Sequence, residues 1–305
     1  MQIDFTHCPG GVADSDELHP SYFADTALAV QRLRQLENAG FSRVMIDDLA
    51  GLLANMDLAS LALRATQSLG ILVSHWPGIV APVVAARQFA ALDKLRPGRL
   101  SLRVPASRGL RGIPDGLAAF DGLDRTDEYL VLLKRLWTNM RPFDHEGIFY
   151  RVHGGFVPLK PKGGVDIQLQ LGGQSGTALK VAGKHADLFE LPAGGLEETR
   201  RLTERVKVAA QPFGRAGRVR FSLPVHAGEG AEDWQLGAAP DRAAERLVAY
   251  AELGVADFLV HGLDDANAIE AFGQEIVPQV RRMSRRHDAP PTGRRGSPVQ
   301  LRRVV

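Results

Sequence analysis

The chain has 305 residues, 45% of them hydrophobic and 24% charged, with a formal net charge of +2, which describes a globular protein with an ample core. One cysteine, Cys8, excludes an internal disulfide, and no Cys/His pattern has the spacing of a zinc site. No apolar run is long enough to cross a bilayer and the N-terminus lacks the basic-then-apolar order of a signal peptide, so we expect a cytoplasmic protein without a membrane partner.

Short apolar runs alternate with segments of helical periodicity along the chain. The predicted strands are residues 2–5, 43–46, 69–74, 100–104, 165–171, 186–189, 219–225 and 257–260. The predicted helices are residues 22–38, 56–66, 83–95, 127–137, a helix capped by Ser175, 196–210, 241–253 and 268–283. A long loop is expected at 105–122 and an inserted irregular hairpin at 138–164.

Eight strand–helix units predict a (β/α)8 TIM barrel spanning residues 1–283, with an insertion before strand 5 and its chemistry in the loops after the strands. The alternative is a doubly wound open sheet. No Gly-x-Gly-x-x-Gly follows the first strand, which disfavours a dinucleotide-binding fold.

The turn after the fifth strand has the composition of a phosphate site. The strand stops at Gly172 and Gly173, and after Gln174 the hydroxyl of Ser175 stands at the N-cap of a helix. Two glycines let an anion approach the backbone, and the free N–H groups and dipole of a helix start favour a phosphate there. A tight turn with a capping serine is the structural alternative.

Three segments resemble the bacterial luciferase-like flavin monooxygenases, in particular the alkanesulfonate monooxygenase branch. They are Pro-Val-Val-Ala-Ala-Arg-Gln-Phe-Ala-Ala-Leu-Asp-Lys-Leu-Arg-Pro-Gly-Arg at 82–99, the stretch 128–152 from Glu-Tyr-Leu to Tyr-Arg-Val, and Gly-Gly-Gln-Ser at 172–175 with Ala-Asp-Leu at 186–188. The resemblance implies a TIM barrel, reduced FMN supplied by a separate flavin reductase, and oxygen insertion into a small organic substrate. It also implies that Gly172, Gly173, Gln174 and Ser175 hold the FMN phosphate. We therefore predict an FMN-dependent monooxygenase, and a homo-oligomer as in relatives.

Several family residues are missing from this chain. Only 228–239 stands where relatives carry a long insertion with a catalytic arginine, and Leu263 and Asp265 replace a tyrosine and a histidine. The family's active-site cysteine falls near Leu52, and Pro224 replaces an arginine. Two alternatives therefore stay open: an oxidoreductase of the same fold that uses the deazaflavin F420, and a non-catalytic flavin-binding protein.

Four side chains follow the predicted strands and are candidate site residues. His226 ends the seventh strand and is expected to assist proton transfer, and His75 is the second candidate catalytic residue. Trp76 is expected to pack on the flavin ring, and Asp47 to hydrogen-bond the ring or ribityl chain. Each also has a structural explanation: a core histidine, a packing tryptophan or a solvated carboxylate. A set of arginines offers positive charge for an anion: Arg103, Arg108 and Arg111.

The C-terminal end is strongly basic. Residues 281–305 contain eight arginines and one aspartate and carry +7, so residues 1–280 carry −5. With its prolines and glycines, segment 284–305 is predicted to be a disordered Arg-rich tail. A solvated basic end explains this composition, and we do not expect a nucleic-acid partner.

Overall fold

Eight parallel strands close into a barrel in the computed structural model of the chain, which describes residues 2–9, 25–47, 55–105, 122–162, 167–230 and 232–288, without the side chains of 286–288. The strands in chain order are β1 (Asp4–His7), β2 (Arg43–Ile46), β3 (Gly70–Ser74), β4 (Leu100–Val104), the hairpin strands β5 (Phe143–Glu146) and β6 (Arg151–Gly155), then β7 (Gln168–Gly172), β8 (Leu188–Glu190), β9 (Arg220–His226) and β10 (Val255–His261). The barrel order is β1-β10-β9-β8-β7-β4-β3-β2. The predicted TIM-barrel fold is confirmed.

The helices between the strands form the outer layer. They are α1 (Thr26–Asn38), α2 (Asn55–Ala65), α3 (Pro82–Asp93), α4 (Leu123–Thr138), α5 (Gly176–His185), α6 (Leu196–Ala210), α7 (Pro240–Glu252), α8 (Ala266–Ala271) and α9 (Val277–Asp288), with a π-helical turn at Phe272–Ile276. Their apolar faces pack against the outer faces of the strands and bury one continuous core. None of the helices in the described part of the chain has the length and hydropathy needed to span a bilayer.

Strand side chains alternate between this outer core and the barrel interior. On β4, Leu100, Leu102 and Val104 belong to the outer core, so Ser101 and Arg103 point into the barrel. The same alternation on the neighbouring strands fills the interior. Its apolar middle is formed by Cys8, Met45, Leu72 and Leu259, which cluster separately from the outer core.

A polar network closes the N-terminal end of the barrel. Arg43 at the start of β2 forms an ion pair with Asp257 at 3.0 Å and donates to Gln168 Oε1 at 2.8 Å. Thr6 Oγ1 donates to the Asp257 carboxylate at 3.0 Å, and Ser101 Oγ donates to Gln168 Oε1 at 3.2 Å. We call these five residues the Arg43 network.

The predicted insertion is an antiparallel hairpin of β5 and β6 that one carboxylate fastens to α4. Glu128 accepts hydrogen bonds from the backbone N–H groups of Ile148, Phe149 and Tyr150 at 2.9–3.1 Å, and His145 Nε2 lies 2.9 Å from it. The hairpin is thereby fixed beside the barrel even though Ile148 at its tip is exposed.

Helix α4 and the C-terminal helix differ from the prediction. Helix α4 begins at Leu123, four residues earlier than expected, because Gly122 serves as its N-cap. Helix α9 continues to Asp288, so residues 284–288 of the predicted tail belong to the closing helix. The predicted disorder of 289–305 and the loop with Arg108 and Arg111 lie outside the described residues.

Candidate functional site

An ion-pair cluster lies inside the barrel at the C-terminal ends of the strands, where TIM-barrel sites are built. Arg103 on β4 contacts Glu190 on β8 through two hydrogen bonds, Nε to Oε2 at 2.6 Å and Nη2 to Oε1 at 2.7 Å. Its Nη1 lies 3.3 Å from Asp47 Oδ2, and Gln170 Nε2 donates to Glu190 Oε2 at 3.0 Å. We call these four residues the Arg103 cluster.

The cluster keeps its charges at neutral pH. Burial by itself raises the pKa of Glu190, but the charge and hydrogen bonds of Arg103 outweigh burial and hold that pKa below its ordinary value. Burial would lower the pKa of Arg103, and Glu190 and Asp47 raise it above its ordinary value. One cation therefore stands between two carboxylates, and the cluster has a net charge of −1.

The structure gives Asp47 a partner that the sequence did not reveal. Its carboxylate lies beside the Arg103 guanidinium, and its side chain is 31% exposed at the barrel mouth. The expectation that Asp47 contacts a cofactor stays a prediction, but this carboxylate also holds Arg103 in place.

The glycine turn after β7 is open and lies at the same end of the barrel. Gly173 has φ +109°, a conformation that favours glycine, and Ser175 Oγ accepts a hydrogen bond from Ala178 N at 3.1 Å as the N-cap of α5. Residues 174–177 are exposed, and a Cβ placed on Gly176 would contact nothing within 4 Å. Gly172 pairs in register with Glu190, so this turn adjoins the Arg103 cluster.

An arginine on the next helix supports the same turn. Arg205 on α6 donates from Nη2 to the carbonyl oxygen of Gln174 at 3.2 Å, which brings a positive charge to the start of α5. The turn therefore combines a helix N-terminus, a nearby cation and free space, which suit a phosphate.

His226 lies at the end of β9, beside His261 on β10 in register. Its Nδ1 accepts a hydrogen bond from the backbone N–H of Gly228 at 2.9 Å. Leu223 and Val225 belong to the outer core, so the alternation of side chains along β9 places His226 on the interior side of the barrel. The structure places this predicted residue at the mouth with the Arg103 cluster.

His75 has different surroundings. Its Nε2 lies 2.9 Å from the Tyr129 hydroxyl, and its ring meets the Phe89 ring edge-on at a centroid distance of 4.9 Å. Burial lowers the pKa of His75 to about 4, so the ring is neutral at pH 7. These contacts place His75 between the barrel wall and helices α3 and α4, not beside Arg103 or His226. The expected catalytic role finds no support in them.

Trp76, the next residue, is half-buried. Its indole Nε1 is buried and has no acceptor among the described residues. Buried tryptophan N–H groups usually have a partner, so this donor is an unusual feature of the loop after β3. Its predicted stacking on a flavin ring stays a prediction.

Sequence reasoning missed Glu190, Gln170 and a second glycine pair. Gln170 and Glu190 occupy interior positions of β7 and β8, which the apolar outward partners Leu169 and Phe189 signal. Gly194 and Gly195 precede α6, and the Tyr250 hydroxyl fixes that turn by donating to Gly194 O at 2.8 Å. The sequence signal for this second turn was a repeated pattern, because a glycine pair precedes α5 after β7 and another precedes α6 after β8.

A cleft of about 950 Å³ lies at the opposite end of the barrel. It is lined by Asp4, Lys162 and three members of the Arg43 network among others: Arg43, Ser101 and Gln168. The N-terminal face of a TIM barrel contributes to stability and not to chemistry, so the cleft is separate from the candidate site. No group of three or more His, Cys, Asp or Glu in the described ranges is arranged to hold a metal ion.

Comparison with known proteins identifies similar sequences and folds. The family model described as luciferase-like monooxygenase matches residues 10–256. An F420-dependent glucose-6-phosphate dehydrogenase of Nakamurella multipartita is 26% identical over 89% of this chain and 96% of its own. An F420-dependent secondary alcohol dehydrogenase aligns with TM-score 0.72 and 17% identity over 92% of this chain and 100% of its own. EDTA monooxygenase of a Chelativorans species aligns with TM-score 0.76 and 13% identity over 93% and 94%.

Proposed function

Because this chain belongs to the luciferase-like monooxygenase family, we propose that it is an oxidoreductase that binds a flavin-type cofactor at the C-terminal mouth of its barrel and acts on a small organic substrate. The observation that carries the proposal is the position of the glycine turn. It is open to solvent and adjoins Glu190 through Gly172, so a cofactor whose phosphate is held there would lie at the same mouth as the Arg103 cluster.

The residues of the turn fit a phosphate ester. Ser175 Oγ takes the N–H of Ala178, while the N–H groups of Gly176 and Thr177 belong to the first turn of α5, where no intrahelical acceptor exists. Arg205 adds positive charge from α6. We therefore assign phosphate binding to residues 173–177, with Arg205 as the supporting cation.

The other residues at the mouth orient and shield the reacting groups. A bound flavin or deazaflavin supplies the two-electron chemistry itself. The Arg103 cluster forms a fixed polar floor whose cation is already paired, so it offers no free positive charge to an anionic substrate. His226 presents an imidazole at the same mouth. This arrangement favours a neutral substrate.

We propose F420 as the cofactor. The relatives that use F420 motivate this choice, and the exposed turn adds a physical reason. F420 carries a negatively charged tail beyond its phosphate, and residues 174–177 are exposed with nothing within 4 Å of a Cβ placed on Gly176, so that tail can extend into solvent. FMN, supplied in reduced form by a flavin reductase, is the second candidate, which the fold shared with EDTA monooxygenase motivates.

A titration separates the candidates. The purified chain is titrated with F420 and with FMN, each oxidised and reduced, and binding is followed by fluorescence. Turnover is then measured in two assays: F420 reduction with a panel of alcohols including glucose 6-phosphate, and oxygen consumption with FMN, a flavin reductase and a panel of sulfonates, aldehydes and sulfides. We expect F420 to bind at least tenfold more tightly than FMN. Binding without turnover would favour a non-catalytic cofactor-binding protein, and no binding of either would refute the proposal.

The phosphate site has a matched pair of variants. Ser175→Asp and Ser175→Asn both keep a good N-cap, but the first adds a negative charge where the phosphate is proposed. Repulsion at about 4 Å is worth about 1–4 kcal/mol, so we expect Ser175→Asp to raise the cofactor Kd at least about tenfold. Ser175→Asn should bind as the parent does. Equal affinities of the two variants would place the phosphate elsewhere.

A further inference from the structure

The imidazole of His226 is confined by two glycines and one backbone hydrogen bond. Gly228 N–H donates to Nδ1 at 2.9 Å. A Cβ on Gly228 would come within 2.8 Å of Nδ1, and a Cβ on Gly262 would come within 2.7 Å of Cε1. Since real Cβ atoms do not approach other atoms so closely, a side chain at either place would displace the ring from the position it occupies.

This confinement fixes which nitrogen carries the proton. A backbone N–H can only donate, so Nδ1 must accept and is unprotonated. The proton of the neutral ring is therefore on Nε2. Nε2 has no hydrogen-bond partner among the described residues, and His226 is half-buried on the interior side of β9. The ring thus presents an N–H donor on the interior side of β9.

We propose that His226 is a fixed hydrogen-bond donor to a substrate oxygen and does not act as a general base. The proposal rests on the proposed function, which places the substrate at this mouth. The Gly228 N–H occupies the lone pair of Nδ1, which leaves Nε2 as the nitrogen that faces a ligand, and Nε2 is the donor. A neutral N–H donor stabilises an oxygen that gains negative charge, as a carbonyl oxygen does when its carbon accepts a hydride, and solvent water then supplies the proton that completes the alcohol. The substrate class that fits is a ketone or aldehyde and the corresponding alcohol.

The first test needs no cofactor. In the full chain labelled with ¹⁵N-histidine, the His226 ring signals are assigned by comparison with His226→Gln. We expect a pyridine-type Nδ1 and a pyrrole-type Nε2 at neutral pH. The reverse tautomer, or a doubly protonated ring, would overturn the proposal whatever cofactor the protein uses.

Glycine variants test the confinement. Gly228→Ala and Gly262→Ala should each displace the ring and change its ¹⁵N pattern. Gly262 has φ +79°, so its matched control is Gly214→Ala, where φ is +65° and a Cβ would contact nothing within 4 Å. The control for Gly228→Ala is Gly217→Ala, which also meets open space. Both controls should leave the pattern unchanged. An unchanged pattern in Gly228→Ala and Gly262→Ala would refute the confinement.

A second pair of variants separates donation from proton transfer. In His226→Gln the amide nitrogen can occupy the position of Nε2, while in His226→Asn the amide reaches only the position of Nδ1. With reduced F420 and a panel of ketones, we expect kcat to stay within about tenfold in His226→Gln and to fall about 10²-fold or more in His226→Asn. An equal loss of about 10²–10⁴-fold in both variants would indicate proton transfer and contradict the proposal. Absence of turnover in the parent protein would refute the assignment of F420-dependent ketone reduction, and the ¹⁵N pattern would still test the tautomer.

Discussion

The two ends of the barrel each contain an inward-pointing arginine, and the surroundings of these arginines differ. Arg43 at the N-terminal end lies beside Asp257, which is fully buried, and beside Gln168 and Thr6, so its network closes the barrel. Arg103 at the C-terminal end forms ion pairs with Glu190 and with Asp47, and the side chain of Asp47 is 31% exposed. Arg43 thus helps to close the N-terminal end, whereas Arg103 forms a polar floor that is open to solvent at the C-terminal end.

Burial raises the pKa of the carboxyl group at both ends, yet the net shifts of the two pKa values are opposite. Burial raises the pKa of Asp257 above its ordinary value even though Arg43 counteracts it, whereas Arg103 holds the pKa of Glu190 below its ordinary value despite burial. The pKa of a buried carboxyl therefore depends on its ion pair and hydrogen bonds with the neighbouring cation and not on burial alone. Two isosteric variants test this contrast.

Glu190→Gln should have the largest effect. It removes the charge that Arg103 pairs with inside the barrel, and breaking a buried pair costs about 3–5 kcal/mol. Because the pKa of Glu190 is lower in the folded state, its contribution is present at neutral pH and lost as pH falls through that lowered pKa. The loss, measured by urea unfolding, should therefore be largest near pH 7 and shrink towards pH 4. A loss that does not vary with pH would contradict the contrast.

Asp257→Asn should cost less, about 1–3 kcal/mol, because Arg43 keeps Gln168 as a partner. The folded protein binds the Asp257 proton more tightly than the unfolded chain does, so parental stability from this group declines as pH rises above 3.8. The difference in free energy of unfolding between the parent and Asp257→Asn should therefore shrink as pH rises. For Glu190→Gln the same difference should grow as pH rises. Urea unfolding at several pH values measures both slopes, and parallel slopes would remove the distinction between the two ends.

Two serines provide the smallest test. Ser101 Oγ donates to Gln168 in the Arg43 network at 3.2 Å, while Ser74 Oγ lies 3.5 Å from Arg103 Nη1. We expect Ser101→Ala to lower the free energy of unfolding by about 1 kcal/mol and Ser74→Ala to lower it by less, since the longer contact is weaker. Thermal unfolding resolves the difference, and a larger loss in Ser74→Ala would show the C-terminal end to be the tighter one.

Much of the fold could be predicted because it depends on local patterns. Helix 196–210 and strands 43–46 and 100–104 have the predicted bounds, since apolar periodicity and glycine or proline breaks mark them in the sequence. Helix α4 was predicted to begin too late because Gly122, its N-cap, offers no capping side chain.

The candidate site could be predicted only where its residues are close in sequence. The glycine turn and its Ser175 cap form one local motif, and the structure has both. The partner of Arg103 is 87 residues away, and no local pattern pairs two such positions. The apolar alternation of β4 would have shown that Arg103 points inward, and the same alternation places Ser74 inward and His75 outward. The alternation of inward and outward side chains along each strand could thus have separated His75 from the candidate residues that point into the barrel.

The apolar middle of the barrel contains the chain's single cysteine, which is 1% exposed. Burial raises the pKa of the Cys8 thiol, so a thiol-specific reagent has neither access nor an abundant thiolate to attack in the closed molecule. Labelling can then proceed only while the strands transiently part, and its rate gives the frequency of that event. The rate of Cys8 labelling thus reports transient opening of the barrel, and any molecule that covers the barrel mouth will lower that rate.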